Sequence, residues 1–144
     1  MHQLPCDYCV TATAEAGSNV VLKADQVPQL ITAACVSAGG AGNQWCPEML
    51  LSAAVMDGLV VGFTAIARTS EFEWNTVSCQ TVGTLNRVDK VNRFTSFQIN
   101  FTLRIPAGAD TEKARRLAQK AHEASVIANS LHAETHLEIE IIEE

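Results

Sequence analysis

An α+β domain with antiparallel pairing favoured is the architecture this sequence predicts, and three stretches carry that expectation. Phe97, Ile99, Phe101, Leu103 and Ile105 alternate with Ser96, Gln98, Asn100, Thr102 and Arg104, the period-two pattern of a strand with one buried face. Residues 49–67 form a long apolar run whose polar interruptions are Ser52, Asp57 and Thr64. Near the end, Leu137, Ile139 and Ile141 alternate with His136, Glu138 and Glu140. Strands therefore precede and follow a long helix instead of alternating with helices one by one.

From the beginning of the chain, residues 8–13 and 19–24 carry β-branched, alternating side chains around the turn material Glu15-Ala16-Gly17-Ser18, which predicts an N-terminal hairpin. Residues 26–36 extend that sheet less regularly, and the glycine-rich loop at 37–42 interrupts it, flexible by composition. Pro47 and Glu48 open the apolar helix: proline's missing N–H has no intrahelical partner to lose there, and an acid complements the positive end of the helix dipole. Residues 72–85 read as a strand with an irregularity, because Phe72 and Trp74 take one parity and Val77 and Cys79 the other; a bulge would reconcile them. A polar turn at 86–92 leads into the strong strand, which Pro106-Ala107-Gly108 breaks. Asp110 or Thr111 caps the next helix, whose apolar stripe is Ala114, Leu117, Ala118 and Ala121, ending near Ala124. A short helical turn at 126–131 precedes the last strand.

At 144 residues, with 47% hydrophobic and 18% charged, the chain suits one domain, 1–144, burying roughly two thirds of its unfolded surface. A net charge of −6, with ten Lys and Arg in all, speaks against nucleic acid. Lys23 is the one Lys or Arg before Arg68. The apolar helix is long enough for a membrane span, but Asp57 at its centre and the weakly basic flanks favour a helix buried in a soluble domain, with a second subunit as one way to enclose it. The N-terminus, Met1 to Pro5, has no basic start and no apolar stretch for a secretory signal, and five irregularly spaced cysteines fit reduced thiols, so a cytoplasmic location is expected.

Several residue sets invite a chemical reading. Cys6-x-x-Cys9 is half of a zinc pattern, and by sequence spacing Cys35, Cys46 and Cys79 supply no second close pair; no metal and no cofactor is expected. His132 and His136 have a two-histidine spacing that works only on a helix, whereas His136 falls in a strand pattern. His122 reads as a packing or capping residue ahead of a catalytic one. Asp57, a carboxylate in an apolar helix, must be hydrogen bonded, neutralised or wet. Glu48 stands between a first-turn residue and a pocket acid.

The run Cys46-Pro47-Glu48-Met49-Leu50-Leu51-Ser52-Ala53-Ala54 resembles the proline-glutamate-x-leucine-leucine-x-alanine-alanine helix start of the osmotically inducible protein C and organic hydroperoxide resistance superfamily. Gly83-Thr84-Leu85, the strand ending Arg104-Ile105-Pro106-Ala107-Gly108, and Ala121-His122-Glu123-Ala124-Ser125 with Asn129-Ser130-Leu131 follow in the family's order, covering roughly residues 42–142. The resemblance implies an OsmC-like fold, with antiparallel sheets wrapped around central buried helices in an intertwined homodimer. It also implies a link to detoxification of organic hydroperoxides and the oxidative-stress response. That activity uses a reactive cysteine in the central helix and a second cysteine after the alanine-histidine pair, one to form a sulfenic acid and one to resolve it. Carried over, the two positions hold Gly58 and Ser125. Glu48 matches the acid that organises the site in the hydroperoxide-resistance branch, while that branch's N-terminal arginine has no counterpart.

The leading expectation is a family member without the standard dithiol reaction, binding a small apolar ligand beside Glu48, Asp57, Gly58 and Ser125. The alternative is a hydroperoxide reductase with a relocated thiol, Cys46, placed where a helix N-terminus favours thiolate, together with a partner thiol or an external reductant. A third reading is a structural or partner-binding role using exposed carboxylates such as Glu138 and Glu140. Neither nucleic acid nor membrane is expected as a partner.

Overall fold

The computed structural model describes residues 3–144. Met1 and His2, the head of the stretch read for a leader, lie outside the described residues. The elements run β1 (Thr11–Thr13), β2 (Val20–Lys23), β3 (Leu30–Thr32), a 3-10 turn (Val36–Ala38), α1 (Pro47–Thr69), β4 (Thr76–Val88), β5 (Val91–Ile105), α2 (Thr111–Glu123), α3 (Val126–Asn129) and β6 (Glu134–Glu143). Two compact units divide the chain, Met1–Leu50 and Leu51–Glu144.

The first unit holds the predicted hairpin and its third strand, an antiparallel sheet in the order β1-β2-β3. Ser18 closes the first turn, its N–H donating to the Glu15 carbonyl at 3.0 Å. After β3 the chain leaves the sheet and returns at Trp45, which bridges Thr32 in parallel while Ala33 N–H donates to the Trp45 carbonyl at 2.9 Å. Between these points the loop that composition marks as flexible is a tight turn. The Gly40 N–H donates to the Cys35 carbonyl at 2.9 Å, and a Cβ on Gly40 would land on the Ala34 carbonyl oxygen, so the backbone can fold this closely only with glycine there.

In the second unit the sheet order is β4-β5-β6. The β4–β5 hairpin is antiparallel, but β5 and β6 pair in parallel, from Ser96↔Glu134 to Ile105↔Glu143, which corrects the expectation of antiparallel sheets at that pair. Parallel neighbours need a crossover, and α2 with α3 supplies it. The Phe97, Ile99, Phe101, Leu103 and Ile105 face of β5 is fully buried, together with Ala114, Leu117, Ala118 and Ala121 of α2, as predicted. Phe63 of α1 meets Phe101 edge-on at 5.4 Å and Trp74 at 5.7 Å between ring centroids. Each such buried side chain contributes roughly 1.5–3 kcal/mol.

Two boundaries and one burial pattern differ from the sequence reading. Phe72 and Trp74 precede β4 instead of belonging to it, so their parity conflict with Val77 and Cys79 needs no bulge; the register irregularity falls at Thr84/Leu85. The polar turn narrows to Asp89 and Lys90, both at positive φ, as a two-residue hairpin turn demands. Helix α1 begins at Pro47 as expected, yet only the stripe Val55, Leu59, Phe63 and Ala67 is buried in the single chain, and Val61 is 58% exposed. Among the described residues α1 is the helix long and apolar enough to cross a membrane by length and composition; that stripe packs into the core of the second unit.

Candidate active site

Cys35 follows the last strand of the first unit, and Cys46 directly precedes Pro47, the first residue of α1. The Thr32–Trp45 bridge closes the intervening loop, so two residues eleven apart in sequence face each other with Cα atoms 5.3 Å apart and their sulfurs joined as a disulfide. Irregular spacing predicts five reduced thiols; this pair is the correction, because chain return at Trp45 is invisible to sequence spacing. The Cys46 carbonyl accepts the N–H of Leu50 at 3.0 Å, which places Cys46 at the cap of α1, its sulfur at the positive end of the helix.

Glu48, in the first turn of the same helix, brings Oε2 to 3.1 Å from Cys35 Sγ. A disulfide sulfur carries no proton, so in the oxidised pair this is a close contact; after reduction the Cys35 thiol is positioned to donate to the carboxylate. Cys46 is fully buried, Cys35 is half-buried and Glu48 is exposed. The less buried cysteine of the pair is thus Cys35, which sequence reasoning left without a placement, and the one at the helix terminus is Cys46.

The other anticipated residues lie in the second unit. The place a Cβ would take on Gly58 is bounded by Ile127 Cγ1 at 3.3 Å and Ser125 Oγ at 3.5 Å, so the two positions matched to the family's cysteines are neighbours. Ser125 is buried and caps α3, its hydroxyl accepting the N–H of Ala128 at 3.4 Å. Asp57 is exposed, so of the three ways to satisfy a carboxylate in an apolar helix, the single chain supplies water. Burial pushes the Cys79 thiol up to about 11, leaving it protonated and unreactive near neutral pH. Cys6 and Cys9 are exposed free thiols ahead of β1. His122 Nε2 lies 3.0 Å from Thr135 Oγ1, His136 lies 3.4 Å from Glu134, and His132 is exposed.

Comparison with known proteins agrees with this architecture. The sequence profile of the family described as OsmC-like protein matches residues 40–140. An OsmC-like protein of unknown function from Vibrio cholerae superposes with a TM-score of 0.84 at 17% identity, covering 93% of this chain and 99% of that one. An OsmC-like protein from Mycoplasma pneumoniae gives 0.80 at 14% identity, covering 96% and 99%. An organic hydroperoxide resistance protein from Legionella pneumophila gives 0.72 at 19% identity, covering 97% and 99%. A search of curated proteins found no match. The profile spans well over half the sequence and the fold is shared along nearly its whole length, so the chain belongs to the OsmC-like protein family.

Proposed function

We propose that the protein is a thiol-dependent reductase of organic hydroperoxides in which Cys35 and Cys46 take over the redox role that Gly58 and Ser125 do not fill. The observation that carries this reading is the paired Cys35 and Cys46 with the Glu48 carboxylate 3.1 Å from Cys35 Sγ. Organic hydroperoxide resistance proteins among the structural neighbours support the substrate class. Packing of Ile127 against Gly58 does not favour an apolar ligand site there, so the small apolar ligand is the alkyl part of the hydroperoxide.

In the reduced protein Cys35 attacks the distal oxygen of the hydroperoxide, breaking the O–O bond. Sulfur takes the hydroxyl to become a sulfenic acid. Glu48 accepts the thiol proton and passes it to the departing alkoxide, which leaves as the alcohol. The Cys46 thiol then attacks the sulfenic sulfur, giving the disulfide and one water. A dithiol reductant restores the pair by attacking Cys35, the reachable sulfur, and expels Cys46, whose anion the helix N-terminus stabilises. The sequence reading gave the attacking role to Cys46; exposure moves it to Cys35 and makes Cys46 the resolving thiol. The protein acts in the cytoplasm, where such reductants are available, and as a homodimer.

Reductant-coupled turnover of cumene hydroperoxide tests this. Activity falls at least a hundredfold in Cys35→Ser and in Cys46→Ser, and dimedone labels Cys35 in Cys46→Ser after peroxide treatment. Equal turnover in all three proteins overturns the assignment.

A further inference from the structure

We infer that the reduced Cys35–Cys46 pair, together with Glu48, is a three-ligand site for a thiophilic divalent cation, zinc in particular, that oxidation closes. The two sulfurs and a Glu48 carboxylate oxygen all lie within 4.8 Å of one another. Two thiolates on one tetrahedral zinc, each about 2.3 Å from the metal, stand about 3.8 Å apart. With Cα atoms at 5.3 Å, side-chain rotation alone opens the sulfurs to that separation once the S–S bond is gone. Glu48 Oε2 is already 3.1 Å from Cys35 Sγ and moves outward by a few tenths of an ångström to complete the third vertex.

Charge favours a cation here. Reduced and deprotonated, the three ligands carry three negative charges. Three protein ligands leave the fourth vertex to water or an exogenous donor. Sequence spacing argued against a metal because it counted close pairs along the chain; the pairing arises from the chain's return at Trp45.

A phosphine reductant takes the oxygen of a water molecule to become its oxide, and the disulfide becomes two thiols; cation binding then displaces both thiol protons. In the oxidised pair no thiolate remains to bind a metal. The inference requires only that the pair be reducible and stands apart from hydroperoxide turnover.

The test is a Co2+ titration of the full chain carrying Cys6→Ser and Cys9→Ser, which removes the exposed CxxC as a competing site. After phosphine reduction, a strong near-ultraviolet thiolate-to-cobalt charge-transfer band and visible d–d bands of a tetrahedral site appear at one equivalent, and Zn2+ abolishes them. Cys35→Ser in that background weakens the charge-transfer band at least twofold, and Glu48→Gln lowers cobalt affinity at least tenfold with the band retained; circular dichroism verifies that each variant is folded. No band in the reduced protein, an equal band in the oxidised protein, or an undiminished band in Cys35→Ser overturns the site. Turnover of cumene hydroperoxide by metal-free protein is read separately, so either claim can fail alone.

Discussion

His122 Nε2 stands 3.0 Å from Thr135 Oγ1 and ties the end of α2 to β6. Burial pushes its titration below the ordinary 6.5, with the Glu123 carboxylate opposing in part. A histidine that resists protonation in the folded state binds fewer protons there than in the unfolded chain. Its contribution to stability is therefore complete above pH 6.5 and declines as the pH falls from there through the depressed folded value. Urea denaturation across pH 5–8 should show this decline in the wild type and a shallower one in His122→Gln; identical slopes would remove the assignment. This residue reads from sequence as packing or capping; in the structure its ring reaches the Thr135 hydroxyl. Cys35 is the opposite case. No periodicity or spacing marks it, because its importance comes from the loop return that sets it against Cys46.

Elements were legible where the side chains repeat. The alternation in β5, the stripe on α2 and the proline-glutamate start of α1 each follow from one period or one end signal. Asp110 resolves the capping alternative at α2, its side chain accepting the Lys113 N–H at 2.9 Å. Asp110→Ala should cost about 1 kcal/mol of unfolding free energy, measured by urea titration, with no effect on thiol chemistry. Strand direction was less legible. The outward and inward residues of β6 look the same whether it pairs parallel or antiparallel, and the long α2–α3 connection is the physical feature that decides it. The close approach of β4 was visible only as a glycine within a family motif: a Cβ on Gly83 would meet Ser52 Oγ and Phe97 Cε1 at 2.8 Å.

For the whole molecule, α1 sets the main expectation. Its apolar character extends around the helix, while a single chain buries only Val55, Leu59, Phe63 and Ala67. Apolar surface of that length favours association, and a second copy is the partner the family resemblance implies. Sedimentation equilibrium should return twice the 15.5 kDa chain mass, and Val61→Glu should lower it toward one. A wild-type mass of 15.5 kDa would contradict the dimer.

Disulfide mapping reads redox exchange between Cys35 and Cys46 at the sulfurs themselves. The fully reduced protein is treated with one equivalent of cumene hydroperoxide, quenched with an alkylating reagent and digested. A Cys35–Cys46 linked peptide is expected, with Cys6, Cys9 and Cys79 recovered as alkylated thiols. Oxidation confined to Cys6 and Cys9, with Cys35 and Cys46 both alkylated, would contradict it.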